Sequence, residues 1–118
     1  MGIFKDAEHE EFYNKMISAS GRDDVYHRSL FYTIGICSET RDHYHRIYDV
    51  KNREIRPECL DEGWQTHGTR KICLMAFNLF NGYVSKEDPR SSTPEDLFAS
   101  EAAPFFTIAL RIRYPEYL

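Results

Sequence analysis

Gly63-Trp64-Gln65-Thr66-His67-Gly68-Thr69-Arg70-Lys71-Ile72-Cys73-Leu74-Met75-Ala76-Phe77-Asn78-Leu79-Phe80-Asn81-Gly82-Tyr83 holds the only tryptophan of the chain and its densest apolar run. Ile72, Met75, Ala76, Leu79, Phe80 and Tyr83 recur at helical spacing, and Cys73, Leu74 and Phe77 fill the remaining sides. A helix that is apolar nearly all round is a buried one. The spacing therefore predicts a central scaffold helix that carries no catalytic group. Trp64 is expected to lock an irregular segment, 49–66, onto that helix, with an acceptor found for its ring nitrogen.

Outward from this run, Asp6 is a good N-cap for a first helix reaching about Ala19, with Phe12, Tyr13, Met16 and Ile17 on one face, stopped by Ser20-Gly21. A second helix is expected from Asp23 or Asp24 to Ile34, burying Tyr26, Leu30, Phe31 and Ile34, with Gly35 as its stop. Ser38 is read as the cap of a third, continuous helix to about Tyr48. Asp49, Lys51 and Asn52 suggest a turn, Arg53-Glu54-Ile55 a short extended piece, and Pro57 one helical turn through Leu60. Beyond Asn81-Gly82, the polar run 85–92 reads as a mobile loop. Thr93-Pro94-Glu95-Asp96 reads as a capped helix start, and Pro104 to Pro115 as the last helix, with Phe105, Ile108, Ala109 and Ile112 along one side. The fold expected is mainly α: a compact single-domain bundle of about five helices around a buried central helix.

A chain of 118 residues fits one domain. Its 15 basic and 19 acidic residues give a net charge of −4, which disfavours a general phosphate-binding surface, so direct nucleic-acid binding is not the expectation. An acidic face that docks a basic partner is the alternative to an ordinary solvated surface. No segment approaches the roughly 18 apolar residues of a membrane span, and Met1-Gly2-Ile3-Phe4-Lys5-Asp6 lacks a secretion core; the expected location is cytoplasmic, without membrane contact. Asp6 also spoils a Gly2 myristoylation motif. Cys37, Cys59 and Cys73 are an odd number without C-x-x-C spacing, so reduced thiols are expected.

In Arg41-Asp42-His43-Tyr44-His45-Arg46-Ile47-Tyr48-Asp49, His43 and His45 are two apart and on a helix point away from each other. Arg41, His45 and Asp49 are spaced by four. On a continuous helix that stripe is either an ion-pair surface or a His–carboxylate pair, and His45 with Asp49 are the candidate metal ligands. His9, His27, His67, Cys37 and Cys59 could complete a structural zinc site with them, fastening the irregular segment. No nucleophile motif or phosphate loop is present, and no catalytic residue is assigned. Arg41, Trp64, Gln65 and Thr66 are the candidate partner-binding residues, since a Gly-flanked indole followed by two hydrogen-bonding side chains suits an interface anchor.

Glu8-His9-Glu10 with Phe12-Tyr13, Tyr26-His27 with Leu30-Phe31-Tyr32-Thr33, Thr40-Arg41, Gly63-Trp64-Gln65-Thr66, Ala76-Phe77-Asn78-Leu79-Phe80-Asn81-Gly82-Tyr83 and the ending Arg113-Tyr114-Pro115-Glu116-Tyr117 together resemble a family of small uncharacterised proteins. That family occurs in Gram-positive bacteria, their phages and mobile elements, and the resemblance extends over nearly the whole chain. It carries over no activity or catalytic residue. The loop after Tyr83 is shorter here than the family pattern. The resemblance and the acidic charge imply a non-enzymatic accessory protein that binds a host protein, such as an inhibitor of a defence nuclease with a CRISPR effector as the specific candidate. The alternatives are a metal-dependent enzyme using His45 and Asp49, and a nucleic-acid-binding protein using Arg41, Arg46, Arg53, Arg56 and Arg70, which would have to share one face.

Overall fold

Each of the first two helices begins where an aspartate can take up a free amide. In the computed structural model, which describes residues 2–118, Asp6 caps α1 (Ala7–Ser20) by accepting from the backbone N–H of His9 at 2.8 Å. Asp24 caps α2 (Val25–Ile34) through His27 at 2.9 Å. Such a cap satisfies one of the orphan donors of the first turn.

The third helix departs from expectation. Ser38 is its first helical residue, Cys37 stands at the cap without a side-chain bond to a backbone amide, and the chain breaks at His43 into α3 (Ser38–Asp42) and α4 (Tyr44–Ile47). The carbonyl of Glu39 accepts both from the His43 backbone N–H at 3.2 Å and from the His43 ring nitrogen Nδ1 at 2.8 Å, which fastens the turn at this point. The chain then leaves helical geometry at Tyr48, and β1 (Tyr48–Asp49) pairs antiparallel with β2 (Glu54–Ile55), Tyr48 opposite Ile55 and Asp49 opposite Glu54. Arg53 closes the hairpin at φ +58°. A 3₁₀ turn, Pro57–Asp61, follows, as the proline signals.

The central helix, α5 (His67–Asn81), opens on a reciprocal cap: Thr66 Oγ1 accepts from the Thr69 amide at 3.1 Å while Thr69 Oγ1 accepts from the Thr66 amide at 2.7 Å. Gly82, at φ +79°, ends it in the left-handed conformation that glycine enters freely. Ile72, Cys73, Leu74, Met75, Ala76, Phe77 and Leu79 are all buried. The helix shares the centre with α2, where residues 29–36 are buried throughout. The hydroxyls in that run are satisfied locally, Ser29 Oγ donating to the Tyr26 carbonyl and Thr33 Oγ1 to the Ser29 carbonyl. Tyr26 itself is a correction: it is exposed, and its ring carries the guanidinium of Arg113 at 4.1 Å.

The polar run 85–92 folds into a hydrogen-bonded turn. Ser85 is buried and its Oγ accepts from the Asp88 amide, after which Pro89–Ser92 forms a second 3₁₀ turn. Thr93 caps the short α6 (Pro94–Leu97), and α7 (Ala103–Arg113) packs against α2 and α5 with Phe106 and Ala109 fully buried. The result is mainly α, with seven helices and one two-stranded ribbon among the described residues. No helix among them is long and apolar enough to cross a membrane.

Candidate functional site

Trp64 stands half-buried at the end of the irregular segment, its indole stacked on the His43 ring with centroids 4.1 Å apart and planes 5° from parallel. Its Nε1–H donates to Glu62 Oε1 at 2.8 Å, which supplies the acceptor the sequence required. Glu62 in turn accepts from the Nε and Nη2 of Arg46. The Arg46 guanidinium first, and the Trp64 indole second, hold the Glu62 carboxyl down at about 2. The break at His43 makes this plate possible, because it turns the imidazole toward the 62–64 segment. An indole, an imidazole and an ion pair are thus fixed together at the surface. Trp and Arg are the side chains that most often anchor protein interfaces.

Of the neighbouring candidates, Gln65 points inward and Thr66 is exposed. Gln65 donates its amide to the Cys59 carbonyl at 3.0 Å and accepts from Thr69 Oγ1 at 2.8 Å, and the same amide nitrogen lies 3.8 and 3.6 Å from the sulfurs of Cys59 and Cys73. Thr66 is the helix cap. The Gln65 side chain fastens the 3₁₀ turn to α5, and that of Thr66 bonds only to Thr69. Arg41 is half-buried, with Nη1 donating to the Gly35 carbonyl at 2.8 Å.

His45 and Asp49 do not share a helix face. His45 is exposed on α4, whereas Asp49 lies in β1 and accepts from Asn52 Nδ2 at 2.8 Å and Arg56 Nη2 at 3.0 Å. Bonds from the Asn52 side chain and backbone, then the Arg56 charge, hold the Asp49 carboxyl below its usual range. The stripe Arg41–His45–Asp49 therefore falls on three separate elements. Cys59 and Cys73 do meet, and the Cys73 sulfur together with burial pushes the Cys59 thiol up. No group of three or more His, Cys, Asp or Glu among the described residues is placed to hold a metal ion.

The arginines weighed for phosphate binding are largely spent on neighbours. Arg46 holds Glu62, Arg56 holds Asp49, and Arg70 donates to the Leu60 carbonyl at 2.8 Å with Asp61 nearby. A cleft of about 560 Å³ lies between Lys5, the start of α5 and the 99–102 segment. Lys71 on its wall is committed to the Ala99 carbonyl at 2.7 Å, and Glu39 and Glu101 set negative charge beside Lys5, so the lining selects no single ligand charge.

Two buried histidines are hubs that the metal reading misplaced. His9 Nδ1 accepts from the Lys5 amide at 3.0 Å and Nε2–H donates to the Tyr32 carbonyl at 2.8 Å, so the ring is neutral and fully satisfied. Burial holds its pKa below the ordinary imidazole value, against the pull of the Tyr32 carbonyl. His27 Nδ1–H donates to the Asp24 carboxylate at 3.0 Å and Nε2 accepts from the Tyr48 hydroxyl at 2.8 Å. Burial opposes ionisation of Asp24, but the bonds from His27 outweigh it and lower its pKa. The Asp–His–Tyr order is that of a catalytic relay. Here the hydroxyl ends in the core, with Tyr48 1% exposed and pushed up to about 12 by burial, so the relay braces α2 against β1. The signal for both hubs is in the sequence: Asp6-x-x-His9 and Asp24-x-x-His27 place each imidazole in phase with the apolar stripe that follows.

Over residues 1–118 the chain matches the sequence model of a family of unknown function (DUF6075). No curated protein and no solved structure matches it.

Proposed function

The chain belongs to this family of unknown function, and we propose that it is a non-enzymatic protein-binding module, of the kind a phage or mobile element carries against a host protein. The specific target proposed is a defence nuclease, with a CRISPR effector as the first to test. The observation that carries the reading is the Trp64 plate: a half-exposed indole held in one orientation by the His43 stack and the Glu62 acceptor. Side chains fixed before binding lose little entropy on association, which is what an interface anchor needs. The net charge of −4 and the exposed Glu8, Glu10 and Glu11 of α1 support a partner with a basic, phosphate-receiving groove. The mobile-element context rests on the family resemblance of the motifs.

The test is direct binding to purified effector nucleases at moderate salt, with nuclease activity as a second readout. Wild-type protein should retain an effector and slow its cleavage, and Trp64→Ala should lose both while remaining folded. Failure of the wild-type protein to retain any effector from the host's defence systems would sink the nuclease reading. Retention untouched by Trp64→Ala would remove the plate as its anchor.

A further inference from the structure

A second feature, remote from Trp64 in sequence, has the chemistry of a small-molecule site. A cleft of about 440 Å³ opens between α5, the 3₁₀ turn at Pro89–Ser92, α6 and α7, walled by Met75, Leu97, Phe98, Leu110 and Pro94. Its volume falls within the roughly 300–1,000 Å³ of ligand pockets, which are mainly apolar with a few polar groups that fix orientation. None of the lining residues is charged. An ionised ligand would therefore lose its hydration without finding a counter-charge.

Two polar side chains complete the lining, Asn78 and Ser92. Asn78 Nδ2 donates to the Tyr83 carbonyl at 3.2 Å, which fixes the amide orientation and leaves Oδ1, an acceptor only, without a partner among the described residues. Ser92 Oγ is buried and likewise has none. A serine hydroxyl turns about a single bond between staggered positions, so this one can swing to the cleft without breaking any hydrogen bond. Buried polar atoms in native proteins are nearly always paired, and an orphan beside a cleft calls for a partner.

We propose that this cleft binds a neutral, largely apolar small molecule bearing one hydroxyl group, which donates to Asn78 Oδ1 and accepts from Ser92 Oγ–H. The apolar body of the ligand lies against Met75, Leu97 and Leu110. The site is independent of the Trp64 plate and of any protein partner. It also gives the 84–92 segment a role, since the turn that follows Ser85 brings Ser92 to the cleft.

The probe is 4-ethylphenol, with 4-ethyltoluene as a hydrocarbon of the same shape. Binding is read from the methyl resonances of Met75, Leu97 and Leu110 in the full chain, and the fold of each variant from its circular dichroism. 4-Ethylphenol should shift those methyls saturably and bind roughly 30-fold tighter than 4-ethyltoluene, the worth of two net hydrogen bonds. In Ser92→Ala, which removes an unpaired hydroxyl and should leave the fold intact, only the bond to Asn78 remains and the preference should fall to about fivefold. The absence of saturable shifts up to the solubility limit, shifts centred elsewhere, equal binding of the two probes, or a preference unchanged in Ser92→Ala would each overturn the proposal.

Discussion

The imidazole of His9 lies against the Cα of Gly35, so close that a β-carbon added there would stand 2.7 Å from the His9 Cδ2 atom. His9 cannot yield, because both of its nitrogens are bonded to backbone, and Phe12 and the Phe31 carbonyl close the other sides at 3.1 and 3.2 Å. The backbone at Gly35 is ordinary, with φ −75°, so the restriction is one of space. Gly35→Ala should therefore cost about 1–3 kcal/mol of stability through overpacking. Gly63→Ala, where nothing lies within 4 Å of the added carbon, is the control and should be nearly neutral. Urea unfolding of both variants measures the difference.

The same histidine gives the protein a pH dependence. Its folded pKa lies below the ordinary 6.5, so below that value the unfolded chain takes up more protons than the folded one and stability is lost as pH falls. Asp24 and Glu62 are depressed carboxyls. Their contribution is present above the unfolded carboxylate range and goes only as pH falls through their lower folded values. The melting temperature should decline as pH falls below about 6.5 on account of His9, and more steeply below about pH 4. The ring resonances of His9 should show no titration near 6.5. A midpoint at 6.5 would contradict the buried, neutral assignment.

The Asp24–His27–Tyr48 brace makes a different prediction. Tyr48→Phe keeps the packed ring but leaves His27 Nε2 in the core without a donor, at a cost of about 1–3 kcal/mol. Alkaline titration followed by tyrosine absorbance should show Tyr48 ionising only near 12, and the late component, to which the buried Tyr32 also contributes, should shrink in the variant.

Trp64 and Thr66 are two residues apart, and their variants should separate binding from stability. Trp64 is half-buried, so Trp64→Ala should cost well under the ~3–5 kcal/mol of a fully buried tryptophan, and its main effect should be loss of partner retention. Thr66→Ala removes the cap of α5 and should cost about 1 kcal/mol with partner retention unchanged. Thermal melts paired with the binding assay decide it; a Thr66→Ala variant that melts normally but no longer binds would return Thr66 to the interface.

Local chemistry was enough to read the long helices. The carboxylates of Asp6 and Asp24, Gly82 and the apolar run of α5 act within a few residues of themselves, so their effect is visible in a linear string. The break at His43 was not visible. It depends on a ring nitrogen finding the Glu39 carbonyl and on Tyr48 and Asp49 pairing with residues 54 and 55, both of which compete with helix propagation only once the chain has turned. For the same reason the spacing of Arg41, His45 and Asp49 misled, since a four-residue period means a shared face only on an unbroken helix. Composition and local pattern suffice for a mainly helical, net-acidic chain with a buried α5. Long-range packing supplies the rest: Gln65 bonds to the Cys59 carbonyl, His9 finds the Tyr32 carbonyl and His27 the Tyr48 hydroxyl, and Trp64, His43, Arg46 and Glu62 form one surface. A side chain's role depends on which partners reach it across long stretches of chain, and those distances are set by packing.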